Sequence, residues 1–477
     1  MMKRYCFFYF LFFAAIRVSA QTYNILDYGA VADGKTINTK AIQAAIDQCA
    51  RTGGEVIVPA GIFETGTLYI KSNVTIYLTD AAKILGSPSF ADYPDNEVQY
   101  KNFFTHFPDG SVRTNKALLF AEGMSNITIT GKGTIDGNGA SKAFDLGDDA
   151  ASAKSKERPC TILFINCKKV TVTNIHLTDP AYWLENYIDC DGLLLKGLNI
   201  YNHSNTNVDG MDIDSRNVTI DSCTIDSDDD AICFKSHSRN NICENIIVRN
   251  CTIASNCNAI KFGTTSIGGF KNINISHCVI HRSAESPIFH WQKSIQFIDE
   301  SITAIAGIAI EITDGGIADS ITISGITMND VQTPIFLFVG NRGRKQVGDT
   351  TSAPVGEMKN ITIKNIIATS HSKMASSITA LPGHYIENVL LENIAINGMG
   401  GGDSSDAKII LPEKPTAYPE NRMYGQVYPA SGLYIRHAIN IRLNNVHFTM
   451  RNKDLRPLII TDDTPGYDSS GVQFLRP

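Results

Sequence analysis

Apolar and polar residues alternate in short runs that recur along most of the chain, each opening on an Asn and closing on a second apolar pair about three positions on. The run reads NITITGKGTI from Asn126, NVTIDSCTI from Asn217, NIIVRNCTI from Asn245, NINISHCVI from Asn272, NITIKNIIA from Asn360, NVLLENIAI from Asn388 and NIRLNNVHF from Asn440. KVTVTNIHL from Lys169, GLLLKGLNI from Gly192 and SITISGITM from Ser320 follow the pattern without the Asn. Consecutive starts from Lys169 to Asn272 are 23, 25, 28 and 27 residues apart, and gaps of 40 to 52 farther on read as two coils or a coil with an insertion. Two short alternating strands per unit, at a period in the twenties, predict the coils of a parallel β-helix. One coil cannot close its own core, so stacking puts equivalent residues about 4.8 Å apart in ladders.

That geometry assigns roles to the repeated positions. The leading Asn is a turn residue, because Asn tolerates left-handed backbone. Its Asn-X-Thr sequons follow from the repeat and are given no glycan role. Cys223, Cys251 and Cys278 share the slot that other coils fill with Ile175, Leu198, Ile326, Ile366, Ile394 and Val446, which predicts an inward ladder of small hydrophobes rather than disulfides. The pairing of Cys160, Cys167, Cys190, Cys243 and Cys257 stays open. Ahead of the coils, Ile42, Ala45, Ile46 and Cys49 fall at helical spacing within Thr39–Arg51, predicting a helix that caps the otherwise unpaired end of the solenoid. Stretches at about 90–116, 141–157 and 400–430 break the pattern and read as long loops that shape a binding site.

Composition narrows the classes. With 43% hydrophobic and 19% charged residues in 477, the chain can bury a large core, and a net charge of −6 offers no basic field for nucleic acid. Residues 1–20, with Lys3 and Arg4, an apolar stretch from Tyr5 to Ile16 and the small residues Ser19 and Ala20, read as a signal peptide. Export to the periplasm or the extracellular space is therefore expected. No later segment is apolar enough to span a membrane, and no linker divides residues 21–477, which are expected to form a single domain and a monomer.

Two acidic clusters fall in adjacent coils. NTNVDGMDID holds Asp209, Asp212 and Asp214, and DSDDD holds Asp226, Asp228, Asp229 and Asp230. Asp209 and Asp229 are 20 positions apart, slightly less than one coil, which stacks the clusters on one face. Carboxylates that close cannot all ionise, so one rises in pKa while another stays low, as a general acid and a general base require. Two further readings fit the bare clusters: a calcium site, since hard oxygens suit Ca²⁺, and solvated turns that discourage edge pairing.

The residues resemble glycoside hydrolase family 28, the polygalacturonases and rhamnogalacturonan hydrolases. The resemblance runs from YNILDYGAVADGKTINTKAIQAAIDQC through GKGTIDGNG and DPAYW into the coils beyond 270. It implies a right-handed parallel β-helix that hydrolyses pectic glycosidic bonds with inversion, without metal or cofactor, on a pectic polysaccharide or oligosaccharide. The family's Asn-Thr-Asp-Gly motif matches Asn207, Val208, Asp209 and Gly210, and its Asp-Asp pair matches Asp229 and Asp230. By that resemblance Asp229 is the general acid, while Asp209 and Asp230 position and activate water.

Other family motifs depart. Asn258 stands where polygalacturonases carry His, and GIAIEITDGG offers Ala309, Glu311 and Thr313 where an Arg-Ile-Lys motif would grip a galacturonate carboxylate. Glu311 would repel such a carboxylate. Lys261, matched to Glu311 by the likeness of AIKF to AIEI, either compensates or neutralises Glu311. Asn207, Asp212, Lys235, Asn258, Lys261 and Glu311 are the expected substrate-binding residues, with His237, His290, Trp291, Arg342, Tyr182 and Trp183 as softer candidates. Asp226 and Asp228 are expected to be turn residues. Beside the polygalacturonase-like reading stand a hydrolase for a neutral sugar or another pectic linkage, a calcium-dependent lyase and a non-catalytic adhesin.

Overall fold

A computed structural model describes residues 21–104, 113–145, 157–283, 304–345, 347–425 and 427–475. The leader at 1–20, His290, Trp291 and most of the 141–157 loop lie outside them.

The alternating runs become strands, and the named strands of the described residues join into one sheet through parallel pairings. Each coil stacks on the one before, giving a right-handed parallel β-helix. The register is visible in one inward column, where Val56, Ile76, Ile129, Val172, Leu195 and Ile220 pair in succession. The same column continues through Val248, Ile275, Ile323, Ile363, Leu391 and Leu443. One buried apolar cluster therefore runs from Tyr23 to Met450.

The leading Asn residues bend the chain between faces. Asn217, Asn245, Asn272, Asn360, Asn388 and Asn440 all have φ between 55° and 57°. Lys169, Gly192 and Ser320, the starts of the runs without Asn, adopt the same left-handed region at 54°, 79° and 58°. Asn is favoured because its amide extends the ladder: Asn245 donates to Asn217 at 3.2 Å and Asn272 to Asn245 at 3.1 Å.

All ten cysteines of the described residues are free and buried, Cys223, Cys251 and Cys278 in the expected column. Cys160, Cys167, Cys190, Cys243 and Cys257 are thus also unpaired. The helix Thr39–Thr52 buries Ile42, Ala45, Ile46 and Cys49 against the first coil, as its spacing predicts. No helix of the described residues is long and apolar enough to cross a membrane.

Aromatics enter the column beneath the acidic clusters. Phe262 is fully buried, 4.7 Å from Phe234 and edge-on to Phe270 at 5.5 Å. Phe262→Ala is expected to cost about 3–5 kcal/mol in urea unfolding, because neighbouring coils cannot collapse into the gap.

Candidate active site

Four stacked strands carry the site: Met211–Asp221, Ile232–Ser236, Asn258–Ser266 and Ala306–Ile312. Met211 pairs with Ile232 and Ile232 with Ile260, so the turns ahead of these strands pile up on one edge. Gly210 donates its N–H to the Asp230 carbonyl at 2.9 Å, bringing Asp209 beside Asp230. The motif needs glycine there, since a Cβ on Gly210 would sit 2.5 Å from the Ala231 carbonyl oxygen. Val208, the departure from the family's Thr, is simply buried.

The acids converge as the spacing predicts. Oxygens of Asp209 and Asp230 lie within 4.8 Å, as do oxygens of Asp229 and Asp230. Asp229 is partly exposed, whereas Asp209 and Asp230 are buried. Burial pushes Asp229 well above the ordinary carboxylate range, and Asp209 and Asp230 add to the push. Burial works against the charged form of Asp230 too, but Lys261, Lys235 and Asn258 outweigh it and hold that group below the ordinary range. Adjacent carboxyls are thus shifted in opposite directions, Asp229 up and Asp230 down.

The positive partners come from the next strands. Lys235 Nζ lies 3.0 Å from Asp212 Oδ1 and 3.3 Å from Asp209 Oδ2, and Lys261 Nζ lies 3.1 Å from Asp230 Oδ2. Burial opposes the charge on both lysines, yet the facing carboxylates raise both well above the ordinary lysine range. Asp209, Asp230 and Cys233, or Asp229, Asp230 and Cys257, are spaced to hold a metal ion. Lys235 already sits against Asp209 Oδ2 and Lys261 against Asp230 Oδ2.

The acids open into a cleft of about 380 Å³, lined also by Asn207, Tyr182, Trp183, Lys235, His237 and Lys261. The sequence reading missed Arg113, Thr264, Thr265, Arg344, Lys345 and Tyr418, which complete its walls. Arg113 and Tyr418 do fall within the pattern-breaking stretches 90–116 and 400–430, which was the available signal. His237 Nδ1 meets Asp214 Oδ2 at 2.6 Å; burial lowers His237 well below its ordinary range and raises Asp214 to about 7.

Several expectations are corrected. Lys261 pairs in register with Ala309, two residues before Glu311, and its close carboxylate partner is Asp230. Glu311 is fully buried outside the cleft wall with neither oxygen hydrogen-bonded, and burial raises it well above the ordinary range. It therefore presents no repelling charge to a bound sugar. Asn258 is also fully buried; its backbone N–H and its amide donate to Asp230 Oδ1 at 3.2 and 2.8 Å, so it serves the acid rather than the cleft. Asp212 lies beneath the cleft floor, 1% exposed and held by Lys235.

Asp226 is no turn residue but part of the strand Thr224–Ser227, and Asp228 sits in the following bend yet is buried. Both grip His203, at 3.0 and 3.4 Å, and although burial opposes its charge they raise it to about 9. Arg342 pairs with Asp314 and donates to Thr264, so it staples two coils together.

The model of glycosyl hydrolases family 28 matches residues 95–415. The chain is 29% identical over 249 residues to an exo-poly-α-D-galacturonosidase of Dickeya chrysanthemi, spanning 44% of this chain and only 41% of that one. It is 26% identical over 406 residues to a probable polygalacturonase of Vitis vinifera, spanning 81% of this chain and 76% of that one. Among solved structures, the family 28 exopolygalacturonase of Yersinia enterocolitica superposes with a TM-score of 0.69 at 19% identity, covering 95% of this chain and 79% of the other. At that identity the likeness carries the fold.

Proposed function

The chain belongs to glycosyl hydrolase family 28, and from that premise we propose that residues 21–477 form an exported hydrolase domain that cleaves galacturonate-type linkages of pectic chains with inversion. The observation that carries the reading is the convergence of Asp209, Asp229 and Asp230 at a cation-lined cleft, with Lys261 held on Asp230. Asp229 gives its proton to the glycosidic oxygen, which leaves as a hydroxyl. Asp230, with Asp209, takes a proton from the water whose oxygen bonds to the anomeric carbon. Asp230 has oxygens within 4.8 Å of Asp209 and of Asp229, tighter than the roughly 6.5–9.5 Å carboxyl separation usual for inversion. In this reading the attacking water is held by Asp209 and Asp230 together. Export follows from the leader read at residues 1–20.

Charge supports an acidic sugar. Lys235 and Lys261 are matched by carboxylates, and Arg113, Arg344 and Lys345 also line the cleft, Arg113 buried and facing Asp214 and Asp212. Lys345 is therefore the cation proposed to meet a substrate carboxylate in place of the Arg-Ile-Lys motif. Turnover of defined galacturonate and neutral pectic oligosaccharides by the purified protein tests the choice. Preference for the neutral set would overturn it. Lys345→Ala should raise KM for a galacturonate oligosaccharide about fivefold, from roughly 1 kcal/mol of screened attraction, more than it lowers kcat. The effect should shrink in high salt.

A further inference from the structure

The connection between the strands Ile386–Gly400 and Leu433–Arg436 leaves the solenoid and returns to the acid cluster, where Tyr418 and Glu420 close over Lys261. Both residues lie beyond the family match at 95–415. Lys261 is 1% exposed and Glu420 5%. Lys261 Nζ stands 3.1 Å from Asp230 Oδ2 and 3.8 Å from Glu420 Oε1, and donates to Tyr418 OH at 3.4 Å. One buried ammonium thus serves two carboxylates, one beside the reacting bond and one on a distant loop.

We infer that Glu420 is a positioning residue for Asp230, holding the far side of Lys261 so that this ammonium is shared and Asp230 keeps enough basicity to take the proton of water. The inference rests on Asp230 acting as the base in the proposed hydrolysis.

The surrounding charges fix the sign. Asp230 faces Asp209 from the preceding coil, Asp229 and Lys235 from its own, Cys257, Asn258 and Lys261 from the next, and Glu311 and Tyr418 beyond them. Lys261 also meets Glu311, while Arg422 on the loop faces Glu420. Burial raises Glu420 to about 7, with Lys261 opposing and Asp230 adding to the rise. Below that pH Glu420 is neutral and the field of Lys261 falls on Asp230 alone, making it a weaker base. Above it, the Glu420 anion draws on Lys261 and the proton affinity of Asp230 increases. Glu420→Gln fixes the low-pH arrangement at every pH.

The test is a ¹³C carboxyl NMR titration of the full chain and of Glu420→Gln and Glu420→Asp, with kcat against pH on a galacturonate oligosaccharide. In Glu420→Gln, Asp230 should titrate at lower pH than in the unaltered protein. Its kcat should fall roughly two- to tenfold with KM little moved, and the inflection near pH 7 set by Glu420 should vanish. Glu420→Asp should restore the inflection, and Glu420→Ala, which also removes the carboxylate, carries the test should the Gln variant not fold. An Asp230 titration and kcat profile unmoved in Glu420→Gln, or in Glu420→Ala in its place, would overturn the inference, since a merely structural loop residue would alter stability or KM alone. Full turnover by Asp230→Asn would instead overturn the role of Asp230 as base in the proposed hydrolysis, and the NMR titration of the Glu420 variants would still report the coupling.

Discussion

Replacing Asp229 with asparagine should lower kcat on a galacturonate oligosaccharide by about 10²–10⁴-fold, the usual contribution of a positioned general acid, while KM changes little. The reason is local. Asp229 is the partly exposed member of the trio, and burial together with Asp209 and Asp230 pushes its carboxyl well above the ordinary range. Asparagine keeps the shape but has no proton to transfer to the leaving oxygen. Substrate binding by the cationic wall is untouched, so the loss falls on kcat. Thermal unfolding should be unchanged or slightly raised, because a neutral amide removes any residual repulsion from Asp209 and Asp230. Steady-state kinetics beside a melting curve separates this from a folding defect, and an active Asp229→Asn would remove Asp229 from the mechanism.

Lys261→Met should have a large, pH-dependent effect on stability. Its ammonium is buried among Asp230, Glu420 and Glu311, and removing one partner of a buried pair typically costs about 3–5 kcal/mol. The pH dependence has a definite sign. In the unaltered protein Asp230 is held below the ordinary carboxylate range, so its contribution to stability is present above the unfolded pKa of about 4 and lost as pH falls. In Lys261→Met the same carboxyl, buried without its cation, is raised instead, and it destabilises the fold increasingly as pH climbs past that value. The gap between the two proteins in urea unfolding should therefore be wide at neutral pH and narrow on acidification. A gap independent of pH would mean that Lys261 acts through packing alone.

Much of this site can be read from the chain because the solenoid repeats itself. Asp209 and Asp230 meet because one coil separates them, and the ladders of Asn217, Asn245 and Asn272 follow from a period that any long stretch of the sequence displays. Matching Lys261 to Glu311 fails for a reason built into strands: slipping the alignment by two residues leaves every side chain on the same face, so AIKF fits AIEI as well as it fits the true partner. Tyr418 and Glu420 are harder still. They reach Lys261 from a loop with no period, across 157 positions in the case of Tyr418, and no local pattern encodes that contact. The burial that sets the protonation of Asp229, Asp230 and Glu420 is likewise a property of the stacked coils, absent from any single run of residues.

The central claim, that Asp229 protonates the leaving oxygen while Asp230 and Asp209 activate water on the opposite face, is tested most directly by ¹H NMR of the first product formed from a galacturonate oligosaccharide. The expected result is a saturated reducing-end sugar released initially as the β-anomer from an α-linked substrate, with the α-anomer growing in only by mutarotation. Initial release of the α-anomer, or of an unsaturated uronide, would contradict it.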